Sequence, residues 1–96
     1  MGTDQGQAGS VAVYSVETDD DALDQVAALP ADALKFYAEL LALLEITPWS
    51  GDAYNRQLPD VSMRVHTFGA RDEGMVIYLV LEEQRRVVVL RVLWLG

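Results

Sequence analysis

Two runs near the C-terminus, GMVIYLVLEE at 74–83 and RVVVLRVLWLG at 86–96, are apolar at nearly every position and meet across a tight turn around Glu83 to Arg85. Their β-branched content and length suit strands, and the short connection suits an antiparallel hairpin. Continuous apolarity, in place of an alternation, implies that both faces of these strands are covered. One face calls for a layer of helices, and the other for a partner or a tail.

The rest of the 96 residues supplies that layer. VAVYSVET (11–18) reads as a strand, followed by the acidic run Asp19, Asp20 and Asp21. Such a run is a helix N-cap with favourable dipole placement, or else a carboxylate cluster for a divalent cation. It lacks the glycine turn and distal glutamate of an EF-hand loop, which favours the cap. A short amphipathic helix with Leu23 and Val26 then ends near Leu29, because Pro30 disfavours helical geometry in the residue before it. A second helix runs over 31–47 to Pro48. Its stripe of Leu34, Tyr37, Leu41 and Leu44 is widened by Phe36, Leu40 and Leu43, more apolar surface than one sheet contact uses. PWSGDAYNRQLPD is a linker dense in turn formers, and a strand follows over about 62–68 before the GARDEG turn. The expected fold is therefore α+β: strand, helix, helix, strand, strand, strand, with a helical hairpin on one face of a mainly antiparallel twisted sheet. Residues 1–10 read as a flexible lead with almost nothing to bury, and 11–96 as a single domain.

Charge and composition narrow the chemistry. The formal net charge is −8. Residues 1–61 hold eleven acids against Lys35 and Arg56 (−9), while 62–96 hold four acids against five arginines (+1). An acidic chain weighs against RNA or the ribosome as a partner, since affinity for phosphate backbones comes from lysine and arginine. There is no cysteine, hence no disulfide, thiolate nucleophile or cysteine-ligated metal. Neither a metal nor a cofactor is expected. No apolar run reaches the roughly 18 residues of a membrane span, and the N-terminus has no secretory pattern, so the expectation is a cytoplasmic protein with no membrane partner. Ser62, His66 and Asp60 do not suit a nucleophilic relay, because residues spaced along one strand lie too far apart for it.

The helical segment LDQVAALPADALKFYAELLALLEITP and the segment MRVHTFGARDEGMVIYLVLEEQRRVVVLRV carry a resemblance. Over residues 11–96 the chain resembles the RelE/ParE superfamily of small bacterial toxins from toxin–antitoxin systems, with Tyr78 standing as the tyrosine that closes the middle strand. The resemblance implies the fold just described. RelE-type members cut messenger RNA on the ribosome with basic and polar residues of the open sheet face, and Arg64 and His66 fall where that family has two basic residues on its first sheet strand. Where the family has an arginine three residues before the tyrosine, this chain has Met75. The family's tail after the last strand, with a further catalytic residue, has no counterpart within residues 1–96.

Strand alternation puts Arg64, His66 and Phe68 on one face. In the family register Arg91 joins that face, so Arg64, His66 and Arg91 form the candidate catalytic trio of a metal-independent endoribonuclease. The other reading has Arg64 and Arg91 facing solvent or paired with Glu82 or Glu17, and His66 as an ordinary strand residue. Two functions follow. One is a protein-binding relative with impaired or absent nuclease chemistry, meeting an antitoxin or a second copy through the apolar face of helix 31–47 and the last strands. The other is a messenger-RNA interferase using the trio. A small-ligand site between helix and sheet has no polar constellation to support it.

Overall fold

The computed structural model describes residues 13–55, 57 and 62–96. The expected lead at 1–10 and the first two residues of the expected strand 11–18 lie outside them. Strand β1 (Ser15–Thr18) is followed by α1 (Asp20–Ala27), α2 (Ala31–Ile46), a 3-10 turn (Pro48–Ser50) and a two-residue strand β2 (Asp52–Ala53). Then come β3 (Met63–Phe68), β4 (Gly74–Leu81) and β5 (Arg86–Trp94). The sheet order is β1-β5-β4-β3-β2, antiparallel throughout except for the parallel β1–β5 pair. Two helices on a five-stranded mixed sheet give the expected α+β architecture, with β2 as an addition in a segment that reads only as linker.

Local chemistry explains the helices. Asp19 caps α1, its carboxylate accepting from the Asp21 amide at 3.4 Å, and Asp20 and Asp21 occupy the positive end of the helix dipole. In α2 the buried residues Ala33, Tyr37, Leu40 and Leu44 recur at intervals of four, three and four, one face of a 3.6-residue period. α2 packs on β1 and β3, and α1 packs on β5. The Gln25 side chain of α1 accepts from the Val92 amide at 2.6 Å and so serves a β5 backbone donor that lies beyond the end of β1.

The core lies wholly between helices and sheet: Val76, Tyr78 and Val80 of β4 and Val87, Val89 and Val92 of β5 point into it. The opposite face of the sheet is not covered by any described element. Leu34, Leu43 and Ile46 of α2 are also exposed, the surplus that the sequence pattern indicates.

β4 and β5 pair regularly from Leu81↔Arg86 to Tyr78↔Val89, and then from Ile77↔Arg91 to Gly74↔Trp94. Leu90 is therefore an extra residue, a bulge that reverses the alternation of β5. Val87 and Val89 face the helices before it, Val92 and Trp94 after it, and Arg91 and Leu93 turn to the open face.

Two buried tyrosines make a matched test. Burial pushes both hydroxyls up in pKa, but the Tyr78 hydroxyl donates to the Pro48 carbonyl at 2.6 Å. The Tyr37 hydroxyl is buried without a hydrogen-bond partner among the described residues. Tyr78→Phe is expected to lose about 1–3 kcal/mol, leaving the Pro48 carbonyl unsatisfied, while Tyr37→Phe leaves stability unchanged or raises it. Urea unfolding of the two variants checks this, and a larger loss at Tyr37 would refute it.

Candidate functional site

β3 carries two of the three residues that the sequence marks. Its register sets Arg64 opposite Tyr78, His66 opposite Val76 and Phe68 opposite Gly74, all on the helix-covered face. Arg91 lies opposite Ile77 on the other face. The expectation of one shared face is thus corrected: the structure brings Arg64 and His66 to one side of the sheet and Arg91 to the other, and the bulge at Leu90 is the cause.

Arg64 is held by its surroundings. Its Nη2 donates to the Gly51 carbonyl at 2.6 Å, and its guanidinium lies 5.3 Å from the centre of the Trp49 ring. Gly51 is required there by close approach, since a β-carbon would strike the Tyr78 hydroxyl and the Val65 carbonyl. The Trp49 indole donates to Glu82 Oε1 at 2.8 Å, and the Tyr14 hydroxyl donates to the same oxygen at 2.7 Å. Arg85 covers the Tyr14 ring at 5.3 Å and approaches Glu82 at 3.8 Å. This chain of contacts fastens the 3-10 turn and the start of β1 to the β4–β5 turn. Glu17, the other expected partner for a site arginine, is closed bidentate on Arg86 at 2.6 and 2.8 Å. Glu82 and Glu17 therefore pair with Arg85 and Arg86, and with neither Arg64 nor Arg91.

Hydrogen bonds from Trp49 and then Tyr14 hold the Glu82 carboxyl below its ordinary pKa, and the bond to Glu82 is the main reason the Tyr14 hydroxyl sits above its own. A depressed carboxyl contributes stability above its unfolded pKa of about 4.3 and loses it as pH falls through the folded value. The stability difference between wild type and Glu82→Gln is accordingly expected to shrink as pH is lowered from 7 towards 3. Urea midpoints at a series of pH values measure it, and a constant difference would contradict the assignment.

His66 is half-buried where β3 meets α2. Its Nδ1 lies 2.8 Å from the Thr67 carbonyl oxygen, which can only accept, so Nδ1 is the donor of that contact. The ring lines a groove of about 240 Å³ whose apolar floor includes Phe36, Leu40 and Phe68 and whose rim carries Glu39 and Asp72. Imidazole and carboxylates without a cation make a poor seat for phosphate. No group of three or more histidine or acidic side chains that could hold a metal ion exists among the described residues.

On the open face Arg91 stands beside Ile77, Met75 and Leu93, with Leu79 and Val88 further along the same strands. Arg91 is exposed and makes no hydrogen bond or ion pair among the described residues. Two features of the site lack a clear sequence signal. The bulge falls in a run that is apolar in either phase, and the tie from Trp49 to Glu82 spans 33 residues. Phe68 did carry a signal, because the largest apolar residue of β3 shares its phase with Arg64 and His66.

No protein-family model and no curated protein matches this sequence. Solved structures do. The isolated RelE toxin of Escherichia coli superposes with a TM-score of 0.71 at 15% identity, over 86% of this chain and 85% of that one. The RelBE toxin–antitoxin complex of Mycobacterium tuberculosis gives 0.70 at 24% identity, over 84% and 96%. An archaeal RelE–RelB complex from Pyrococcus horikoshii gives 0.63 at 16% identity, over 88% and 97%. With no helix among the described residues long and apolar enough to cross a membrane, and with helices and sheet arranged as in those structures, this chain has the fold of the RelE toxins.

Proposed function

We propose that this chain is a protein-binding member of the RelE-like toxin fold, one that meets an antitoxin-type partner and in which RNA cleavage is reduced or absent. The observation that carries this reading is the division of the three candidate residues between the two faces of the sheet. Cutting a phosphodiester needs cations converging on one phosphate, with an acid and a base in reach of the same atoms. Arg64 is committed to Gly51 and Trp49, and Arg91 stands on the far side of the sheet from His66. An open sheet face of mostly apolar side chains is a surface that proteins bury against proteins. The structural neighbours that are complexes with RelB-type antitoxins suggest the kind of partner.

The test is cleavage of messenger RNA on ribosomes by the purified protein, beside co-expression with the product of the adjacent reading frame. The expected result is no cleavage above buffer, the same for wild type and His66→Ala, together with a complex that survives gel filtration. Cleavage by the wild type that His66→Ala abolishes would overturn the reading in favour of an interferase using Arg64, His66 and Arg91.

A further inference from the structure

Where α2 passes over the end of β3, two carboxylates meet across an apolar hollow. Glu39 of α2 and Asp72 of the β3–β4 turn stand at the rim of the groove of about 240 Å³ that the His66 ring lines. Neither carboxylate is neutralised. Among the described residues the Glu39 side chain makes no hydrogen bond or ion pair, and the Asp72 side chain accepts only from the Thr67 hydroxyl, at 3.0 Å. The cations nearest in sequence do not line the groove: Lys35, one turn before Glu39, lies over the Phe36 ring at 5.5 Å, and Arg71 sits in the turn. The floor is apolar, with Leu40 and Phe68 buried and Leu43 left 40% exposed.

The chemistry of the groove selects its occupant. Two uncompensated carboxylates repel an anion and attract a cation, and the apolar floor favours a cation carried on an apolar stem. The volume equals about eight waters at roughly 30 Å³ each, enough for one long side chain but short of the roughly 300–1,000 Å³ that holds a drug-sized molecule. Arginine suits both ends, since its methylenes cover apolar surface and its planar fork meets carboxylates while lying against an aromatic ring. The helix layer adds attraction at longer range. α1 and α2 carry six acids against Lys35, a balance of −5, on the side of the sheet where the groove lies. Such a field speeds the approach of a basic surface and opposes an acidic one, a second copy of this chain with its net charge of −8 included.

We infer that the groove between α2 and β3 is a docking site of its own, which receives an arginine of a basic partner protein, with the stem on the apolar floor and the guanidinium meeting Glu39 and Asp72. The site lies on the helix side of the sheet, shares no residue with the open face, and holds whichever way that face is used.

The probe is a display library of random nine-residue peptides, selected on the full-length chain and then measured against the double variant Glu39→Gln with Asp72→Asn. Both substitutions remove charge and keep shape: Gln suits a helix about as well as Glu, and Asn accepts the positive φ of 58° that Asp72 holds. The urea midpoint of the double variant is expected to match the wild type. Recovered peptides are expected to hold arginine beside an apolar residue and to bind the double variant roughly tenfold or more weakly, as befits loss of charge-assisted hydrogen bonds. Replacing that arginine by citrulline, which has the same outline without the charge, should weaken binding to the wild type by a similar factor and change little in the double variant. The citrulline peptide needs no altered protein, so it decides by itself should the double variant unfold. Failure to recover binders, binders without arginine, or binders indifferent to citrulline or to a folded double variant would overturn the inference. So would binders released by Arg91→Ala, which seats them on the open face. The protein-binding reading above is judged separately by ribosome cleavage and by the gel-filtration complex, so a failed selection removes the groove site alone.

Discussion

Phe68→Ala is expected to destabilise the protein by about 3–5 kcal/mol, a large part of the roughly 5–15 kcal/mol that holds a domain of this size together. Phe68 is 4% exposed and joins two aromatic neighbours, with the Tyr37 ring edge-on and the Trp94 ring tilted, each 5.7 Å away between centres. It is thus the point where α2, β3 and β5 meet. Its cross-strand partner is Gly74, and the ring lies over the bare α-carbon so closely that a β-carbon there would overlap it. That close approach makes the prediction sharper than a core truncation alone. Gly74→Ala should be costly in the wild type, because the Phe68 ring must move within a packed core, and cheap in Phe68→Ala, where the ring is gone. The two losses are therefore expected to be strongly non-additive in a double-mutant cycle read by urea unfolding. Additive losses would show that the ring and the glycine do not depend on each other.

The same strand shows how far the sequence could be read. Helix α2 was legible because its apolar period is long and Pro48 closes it, and the cap of α1 was legible because an aspartate before an apolar run has a local reason to be there. The β4–β5 hairpin was legible from length and apolarity. Which face each strand presents was not. In VVVLRVLW both phases are apolar, so an inserted residue changes no pattern that alternation could detect, and the turn of Arg91 to the open face follows only from pairing with Ile77. On β3 the polar residues suggested an exposed face, whereas the phase of Phe68 set the opposite one. Arg64 tolerates that side because a carbonyl and an indole ring receive it, and those belong to the linker, whose turn formers gave no hint of what they would touch. The elements follow from local chemistry, and the candidate site follows from pairings between distant segments.

Arg64 decides between the two accounts of the site, since a strut and a catalytic cation respond oppositely to removal. As a strut, Arg64→Ala loses a charged hydrogen bond to the Gly51 carbonyl and the cation–ring contact with Trp49, and is expected to cost about 2–4 kcal/mol. Arg64→Lys should recover less than half of that, because a single ammonium lacks the forked donors with which the guanidinium reaches the Gly51 carbonyl while staying over the Trp49 ring. His66→Ala, whose ring contacts a neighbouring carbonyl at the margin of a groove, should cost under about 1 kcal/mol. Coupling between Arg64→Ala and Trp49→Ala is the more specific readout. If the guanidinium fixes the 3-10 turn through the ring, the double variant loses less than the sum of the singles, and the difference is the energy of their contact. A catalytic cation would behave otherwise: Arg64→Ala would leave the urea midpoint where it was, show no coupling to Trp49, and lower RNA cleavage together with His66→Ala. That outcome would return Arg64 to the surface chemistry of the RelE toxins. A stability loss coupled to Trp49 fixes it as the tie that holds the linker against the sheet and leaves Arg91 as the cation that the open face presents.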